Sequence, residues 1–211
     1  MIDGPFRRIL PKFTGGLIRF YTLLGLTPNM ISLAGLVLAS MATLLCLQGN
    51  PAAAITLWWF SRLLDGTDGI YARATGRASD FGAYLDIVCD MAANTLMVLG
   101  FMGAFPALQW EWSLTLSLYI MCITSALALG ALEEKRQLTK NDNRGLRLAS
   151  GLAEAGETGI AYTVFLLFPD ALPTLVRVWI ALLAVTVISR TLLARSVLSG
   201  KASIRVVEEA A

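Results

Sequence analysis

Long apolar runs dominate the chain, and short polar or turn-forming segments separate them. Each run holds roughly 20 residues, the length at which an α-helix crosses the hydrocarbon core of a bilayer. The pattern therefore predicts an all-α integral membrane bundle of six transmembrane helices, folded as a single domain over residues 1–211. The predicted spans are residues 29–48, 52–72, 80–104, 113–132, 151–168 and 173–195.

The first 27 residues show a different pattern, in which apolar and basic side chains are interleaved. Aromatic positions such as Phe13 alternate with basic ones such as Arg19. This spacing is typical of an amphipathic helix that lies in the membrane interface, so we predict an N-terminal interfacial helix within residues 1–27. Thr27 is the expected cap of the first span, with Pro28 in its first turn.

Basic residues are unevenly distributed among the connections. They precede the first span, lie between spans two and three and between spans four and five, and follow span six, whereas the other three connections contain none. Cytoplasmic loops of membrane proteins carry the excess of Lys and Arg. Both termini, and the connection between spans two and three, are therefore predicted to face the cytoplasm from the cell (inner) membrane.

The composition agrees with lipid as the solvent. Hydrophobic residues make up 56% of the chain and charged residues only 15%, against about 25% charged in soluble domains. The net charge of +2 is small, and no nucleic acid partner is expected. The absence of histidine excludes histidine-based triads and histidine-ligated zinc. Cys46, Cys89 and Cys122 lie in apolar runs and are predicted to be buried small residues.

Four aspartates lie at the ends of two neighbouring spans. Asp65 and Asp68 are near the end of span two, and Asp86 and Asp90 are near the start of span three. Helical residues three or four apart share a face, so each pair projects together. The short link between the spans predicts that the two helices are antiparallel neighbours, and that all four carboxylates meet in one site at one membrane surface.

Four carboxylates in one site would repel one another unless a cation neutralised them. Oxygen ligands without imidazole or thiolate select Mg²⁺, Mn²⁺ or Ca²⁺, and a pair of ions suits displacement at phosphorus. Gly66, Gly69 and Gly82 leave room for a phosphate ligand, and Arg73 offers its fork of donors. The alternative, four solvated helix ends, is disfavoured because carboxylates within a membrane are costly and usually functional.

The spacing D-x2-D-G-x2-A-R-x8-G-x3-D-x3-D is met at all eight fixed positions between Asp65 and Asp90. On these residues the chain resembles the CDP-alcohol phosphatidyltransferase family. The six spans, the basic interfacial helix and the Thr27-Pro28-Asn29 opening of span one are also similar to that family, so the resemblance extends over most of the chain.

The resemblance implies a transfer of a phosphatidyl group from a CDP-linked lipid, CDP-diacylglycerol, to an alcohol, with release of CMP, in phospholipid biosynthesis. It implies Mg²⁺ or Mn²⁺ as cofactor, two ions per site, and a homodimer. Asp65, Asp68 and Asp86 would bind metal, with Asp90 as a further ligand and the catalytic general base. The residues implied to bind the cytidine diphosphate are Asp65, Asp68, Gly69, Ala72, Arg73 and Gly82.

The acceptor alcohol stays open. Family members that use phosphorylated acceptors, such as glycerol phosphate or inositol phosphate, often carry Lys or Arg directly after the last aspartate, where this chain has Met91. Arginines near the last two spans keep a phosphorylated acceptor possible, although they also fit simple cytoplasmic anchors. Two glutamates near span five either orient the acceptor or pair with these arginines. The acceptor-side candidates are Glu154, Glu157, Arg144 and Arg190, with Arg147 and Arg195 as further arginines.

The leading prediction is a phosphatidylglycerophosphate synthase-like enzyme or a related enzyme with another acceptor. Three alternatives are weighed against it. The first is a CDP-aminoalcohol phosphotransferase that acts on diacylglycerol, which would share the same site chemistry. The second, from another class, is a small divalent-cation transporter. The transporter is disfavoured because the acids cluster at one end of spans two and three, and the opposite halves hold none. The third, disfavoured above, is that the four aspartates are only solvated helix ends.

Overall fold

The computed structural model describes residues 15–136 and 155–199. Within these ranges every regular element is helical, with seven α-helices and two single 3₁₀ turns. The helices are α1 Gly15–Leu23, α2 Pro28–Leu47, α3 Pro51–Ala74, α4 Asp80–Ala104, α5 Gln109–Lys135, α6 Ala155–Leu167 and α7 Leu172–Leu198. The 3₁₀ turns, Pro106–Leu108 and Pro169–Ala171, directly precede α5 and α7.

Helices α2 to α7 correspond to the six predicted spans, and each described end lies within four residues of its predicted position. Local sequence explains where α2, α3 and α4 begin. The side chains of Thr27, Asn50 and Ser79 each accept a hydrogen bond from the backbone N–H three residues later, at 3.1–3.3 Å. Such caps satisfy N–H groups that have no partner inside the helix, and the predicted cap at Thr27 is confirmed.

Four of the described helices are long and apolar enough to cross a membrane: α2, α4, and α5 and α7 together with their preceding 3₁₀ turns. Helix α3 has sufficient length, with 24 residues, but it carries four charged residues from Arg62, near its middle, onward. Helix α6 has 13 described residues. The number of six spans therefore stays a prediction.

Helix α1 lies within the predicted interfacial segment and is anchored to the C-terminal half of α3. The Tyr21 hydroxyl is hydrogen-bonded to the Thr67 hydroxyl at 3.0 Å, and its ring meets Tyr71 edge-on at 5.5 Å. Burial raises the pKa of the Tyr21 phenol. The basic residues before Gly15 lie outside the described part of the chain, so the interfacial position of this segment stays a prediction.

Helix α2 is the packing centre of the N-terminal half, because both α3 and α4 pack along it. Small residues permit the close approach: a Cβ on Gly35 would lie 3.4 Å from the Ser61 carbonyl oxygen, and one on Gly100 would lie 2.9 Å from Cγ2 of Thr43. Helices α3 and α4 contact each other only sparsely, which differs from the expected direct neighbours. The turn between them, with Gly76 at φ 66°, brings only their adjoining ends together.

The C-terminal half is built on a parallel pair of helices, α5 and α7. Near their first turns Arg177 pairs with Glu111 at 3.1 Å, and at their far ends Arg136 donates to the Leu198 carbonyl at 2.6 Å. The halves are joined by an aromatic cluster whose ring centroids are 5.1–6.2 Å apart. The cluster consists of Phe101, Trp112, Tyr162 and Phe165. The three cysteines are buried and free, as predicted.

Candidate active site

The structure brings the four predicted aspartates together where α3 ends and α4 begins. Asp68 is buried, with 3% of its surface exposed, whereas the Asp65 and Asp90 side chains are 18% and 22% exposed. Asp68, Asp86 and Asp90 are all close enough to interact electrostatically with Asp65. Two helices therefore present one acidic surface, although they touch each other little along their lengths.

A serine of the central helix holds Asp68. The Ser32 hydroxyl donates to Oδ2 of Asp68, and Ser32 is itself 5% exposed. Ser32 lies one turn into α2, the helix that packs against both carboxylate-bearing helices. A buried carboxylate needs hydrogen-bond donors. The Gly69 N–H donates to Oδ1 at 2.5 Å, and the second donor, Ser32, comes from a helix that carries none of the motif.

An arginine outside the motif lies against the aspartates. Arg62 is one turn before Asp65 on the same face of α3, and its side chain is 9% exposed. Nη1 forms an ion pair with Oδ1 of Asp90 and lies 3.5 Å from Oδ2 of Asp65. The guanidinium also lies over the Trp58 ring, 4.7 Å from its centroid. Arg62 thus bridges the two acidic helices by charge.

Asn94 extends the acidic stripe of α4 by one further turn. Its Nδ2 donates to Oδ1 of Asp90 at 3.0 Å and to the Asp90 carbonyl at 2.9 Å. The Tyr162 hydroxyl of α6 donates to the Asn94 carbonyl at 3.1 Å and is hydrogen-bonded to the Tyr119 hydroxyl at 3.0 Å. Buried hydrogen bonds therefore connect the acidic site with α5 and α6.

The residues expected to bind the cytidine diphosphate flank the acids. Arg73 folds back over Gly69, so that a Cβ on Gly69 would lie 3.3 Å from Nη1 of Arg73. A Cβ on Gly82 would lie 3.1 Å from the Ser79 hydroxyl and 3.3 Å from Oδ1 of Asn29. Ala72 and Gly82 are partly exposed and Arg73 is exposed. A side chain at either glycine would therefore crowd polar groups beside the aspartates.

The donor set fits a hard divalent cation. All four acidic side chains offer carboxylate oxygens, the ligands that Mg²⁺ and Mn²⁺ prefer. Among the described residues, no three acidic, thiol or imidazole side chains close around a single metal position. The carboxylates extend over the adjoining ends of two helices, and the predicted number of two ions stays a prediction.

Only some of the acceptor-side candidates lie in the part of the chain that the structure describes. Glu154, Arg144 and Arg147 lie outside the described residues. Glu157 lies in the first turn of α6, and Arg190 lies in α7, where its Nη1 donates to the Cys122 carbonyl at 2.9 Å. Both side chains are partly buried. Their predicted contact with an acceptor stays untested.

Sequence reasoning missed Ser32, Arg62 and Asn94. Arg62 had a usable signal, because an arginine inside a predicted span is costly unless it has a function or a partner. Asn94 also had one, since it continues the four-residue spacing of Asp86 and Asp90. Ser32 had none, because serine is common in membrane helices.

Comparison with known proteins supports the same chemistry. The chain matches the CDP-alcohol phosphatidyltransferase family over residues 25–189. It is 35% identical to the inner membrane protein YnjF of Escherichia coli K12 over 153 residues, covering 69% of this chain and 71% of that protein. It is 29% identical to the phosphatidylinositol phosphate synthase of Mycobacterium marinum over 198 residues, covering 88% and 80%.

Solved structures share the fold. The crystal structure of Mycobacterium tuberculosis phosphatidylinositol phosphate synthase with CDP-DAG bound aligns with a TM-score of 0.65 at 21% identity, over 88% of this chain and 94% of that chain. The same enzyme in complex with manganese and citrate aligns with a TM-score of 0.64 at 22% identity, over 86% and 88%.

The match covers most of the chain, and the acidic signature lies in one site. The chain therefore belongs to the CDP-alcohol phosphatidyltransferase family. It is a membrane-embedded enzyme of phospholipid biosynthesis that transfers a phosphatidyl group from CDP-diacylglycerol to an alcohol, and the family depends on Mg²⁺ or Mn²⁺. The family, the enzyme class and the cofactor predicted from sequence are confirmed.

Proposed function

We propose that this enzyme transfers the phosphatidyl group of CDP-diacylglycerol to a hydroxyl of inositol phosphate and releases CMP. The observation that carries the chemistry is the set of four aspartates in electrostatic contact across α3 and α4. The choice of acceptor is supported by the Mycobacterium marinum relative, a phosphatidylinositol phosphate synthase that covers 88% of this chain. This replaces glycerol phosphate, the acceptor of a phosphatidylglycerophosphate synthase, as the leading candidate.

In this proposal Asp65, Asp68 and Asp86 hold two divalent ions, with Asp90 as a further ligand. Bound Mg²⁺ or Mn²⁺ supplies positive charge that stabilises the diphosphate oxygens and improves CMP as a leaving group. The Ser32 hydroxyl donates to Oδ2 of Asp68, and this hydrogen bond orients the carboxylate. Helix α2, which packs against both carboxylate-bearing helices, thereby helps to keep the ligands in place before the substrate enters.

Asp90 is proposed as the general base. As the acceptor hydroxyl oxygen forms its bond to the phosphorus that carries the diacylglycerol, the hydroxyl proton moves to the Asp90 carboxylate. The bond from that phosphorus to the bridging oxygen breaks, and its electron pair leaves with CMP. A positioned base of this kind contributes about 10²–10⁴-fold to a rate.

The nucleotide is proposed to lie along the flank formed by Gly69, Ala72, Arg73 and Gly82, beside Asp65 and Asp68. The exposed Arg73 guanidinium offers two parallel donors to phosphate oxygens. Gly82 has no Cβ in the space beside Ser79, and this gives the substrate access to the backbone.

The acceptor phosphate needs positive charge from elsewhere, because Met91 follows the last aspartate. Arg190 of α7 is partly buried, and we propose that it and Arg144 bind the phosphate. Glu157 and Glu154 would orient the inositol hydroxyls. We also propose a single domain with six spans, both termini and the active site on the cytoplasmic side of the inner membrane, and a homodimer.

The test is a substrate panel with the purified protein in detergent. CDP-diacylglycerol and Mg²⁺ or Mn²⁺ are supplied with inositol phosphate, inositol, glycerol 3-phosphate, serine or choline, and the lipid product is identified by mass. A further arm supplies CDP-choline with diacylglycerol. Inositol phosphate is expected to give the product at the highest kcat/KM. A higher value with another acceptor contradicts the proposed acceptor, and failure to consume any CDP-linked substrate contradicts the reaction.

Asp86→Asn is expected to abolish CMP release, and Asp80→Asn is its matched control. Asp80 lies on the same helix, in its exposed first turn and outside the motif. Equal losses in both variants would contradict the assignment of Asp86.

A further inference from the structure

Two side chains converge on one oxygen of Asp90. Arg62 reaches Oδ1 from α3 through Nη1, and Asn94 reaches the same Oδ1 from one turn further along α4, at 3.0 Å. Among the described residues no donor is hydrogen-bonded to the other oxygen, Oδ2. One oxygen of the carboxylate is therefore held by two protein donors, and the other accepts no hydrogen bond from a described residue.

The Arg62 guanidinium is fixed from several directions. It lies over the face of Trp58 at 4.7 Å, a geometry in which the cation is attracted by the ring. Its Nη2 donates to the Ser61 hydroxyl at 3.2 Å, and Nη1 also lies 3.5 Å from Asp65. A planar guanidinium with these contacts loses little further freedom when it binds a carboxylate.

Asn94 holds the same oxygen without a charge. It is 7% exposed, and its amide donates to both the carbonyl and the carboxylate of Asp90. The backbone carbonyl of Asn94 accepts from Tyr162 of α6, and the Tyr119 hydroxyl bound to Tyr162 accepts from Trp179 of α7. The backbone of α4 at Asn94 is thus part of a buried hydrogen-bonded chain that reaches the C-terminal half.

We propose that Arg62 and Asn94 are positioning residues, which hold Oδ1 of Asp90 so that Oδ2 faces the acceptor hydroxyl. This inference rests on the proposed role of Asp90 as general base. A base must be within hydrogen-bond reach of its proton with correct geometry, and a displacement of about 1 Å costs about 10²-fold in rate. Donors to the far oxygen restrict the carboxylate to the productive orientation.

A purely structural role makes a different prediction. Breaking a buried ion pair leaves an uncompensated charge and destabilises the whole fold, which lowers the folded fraction and the unfolding temperature, while the enzyme that remains folded keeps its wild-type kcat and KM. A positioning role lowers kcat per folded enzyme and leaves the binding of CDP-diacylglycerol unchanged. The two roles therefore separate when kcat is expressed per folded enzyme, measured from the bound Mn²⁺ and the unfolding temperature.

The first experiment compares Arg62→Met, Arg62→Lys and Asn94→Ala in the purified enzyme with saturating metal. We expect kcat to fall about 10–100-fold in Arg62→Met and Asn94→Ala, the range found when groups that orient active-site ligands are removed. KM for CDP-diacylglycerol stays within about twofold. Arg62→Lys recovers part of the loss because it keeps the charge but not the planar fork.

A second readout needs no turnover. Mn²⁺ is titrated into the substrate-free proteins and the bound fraction is measured by electron paramagnetic resonance. Because Arg62 brings positive charge close to Asp65, Arg62→Met is expected to bind Mn²⁺ at least as tightly as the wild type. Weaker binding in this variant would overturn the proposal, since the arginine would then act on the carboxylates as metal ligands rather than on Asp90 as the base.

The decisive test combines each change with Asp90→Asn. If Arg62 and Asn94 act through Asp90, neither Arg62→Met nor Asn94→Ala lowers the residual rate of Asp90→Asn further. Losses of the same size in both backgrounds overturn the proposal. Arg177→Met, which removes the exposed pair with Glu111 at the opposite end of the bundle, is the matched control and keeps wild-type kcat.

The outcomes also separate this inference from the proposed function. A wild-type enzyme that transfers no phosphatidyl group to any acceptor overturns the proposed function. An active wild type with unchanged kcat in both Arg62→Met and Asn94→Ala overturns the positioning role alone. If Arg62→Met fails to fold, Asn94→Ala and Arg62→Lys test the same oxygen of Asp90 with a smaller disturbance.

Discussion

The Ser32 hydroxyl of α2 donates to Oδ2 of Asp68 in α3, across 36 positions of the sequence. Asp68 is the most buried of the four aspartates, with 3% of its surface exposed. The central helix therefore contributes a donor to the acidic site besides packing against both helices that carry it. Since a buried carboxylate is costly without donors, this contact is part of what allows the motif to exist at this depth.

Ser32→Ala is expected to weaken Mn²⁺ binding by about 10-fold or more, because removal of a group that orients a metal ligand costs about 10–100-fold in affinity or activity. The measurement is a Mn²⁺ titration of the purified protein. Ser40→Ala is the control, since Ser40 lies on the same helix and donates only to the Leu36 carbonyl, at 2.9 Å. Equal affinities for Ser32→Ala and the wild type would contradict the prediction.

Gly82→Ala is expected to raise KM for CDP-diacylglycerol about 10-fold or more, with a smaller effect on the acceptor KM. The added Cβ would lie 3.1 Å from the Ser79 hydroxyl and 3.3 Å from Oδ1 of Asn29. These distances are shorter than ordinary contact, and the Cβ would fill space proposed for the nucleotide. A lost charge-assisted hydrogen bond of about 1.5–3 kcal/mol accounts for this size.

The measurement for Gly82→Ala is steady-state kinetics with each substrate varied in turn. Gly16→Ala is the control, because a Cβ at Gly16 has no neighbour within 4 Å. A Gly82→Ala enzyme with unchanged KM for CDP-diacylglycerol would place the nucleotide elsewhere.

Arg190→Met is expected to raise KM for inositol phosphate about 10–100-fold and to leave KM for CDP-diacylglycerol unchanged. The reason is the loss of a charged donor to the acceptor phosphate, worth about 1.5–3 kcal/mol. Arg177→Met, on the same helix but at its opposite end, is the control. If Arg190→Met instead lowers only thermal stability, the arginine serves the α5–α7 contact through the Cys122 carbonyl.

Gly100→Ala is expected to destabilise the protein. Its Cβ would lie 2.9 Å from Cγ2 and 3.2 Å from the carbonyl oxygen of Thr43, whose hydroxyl is bound to the Ala39 carbonyl at 2.9 Å. Overpacking costs about 1–3 kcal/mol, and the roughly 1 kcal/mol of helix propensity gained with alanine offsets only part of it.

The measurement for Gly100→Ala is the unfolding temperature in detergent. Gly103→Ala is the milder comparison, because its Cβ would meet only the flexible end of the Leu47 side chain. A variant Gly100→Ala that is as stable as the wild type would show that α2 and α4 can move apart freely.

Much of the fold could be predicted because a membrane helix is specified locally. Apolar length identifies a span, and residues such as Thr27 and Pro28 mark where it begins. The prediction was less complete for α3, whose charged second half leaves it outside the four candidate spans. In α3 the charged residues that form the site also reduce the apolarity of the helix.

The site was predictable as far as helical periodicity extends. Asp65 and Asp68, or Asp86 and Asp90, share a face whatever the rest of the chain does. The contacts of Arg62 with Asp90 and of Ser32 with Asp68 depend instead on how separate helices pack, so spacing along one helix carries no information about them.

By itself, the sequence determined the helices, the four aspartates as an oxygen-ligand set, and the family to which the chain belongs. Only the tertiary structure decided that α2 packs against both α3 and α4, which leaves these two helices in sparse contact, and that Arg62 and Asn94 hold the same oxygen of Asp90. The reason is that caps, periodicity and apolar length act within one helix, whereas the orientation of a carboxylate depends on donors from residues that only packing brings near.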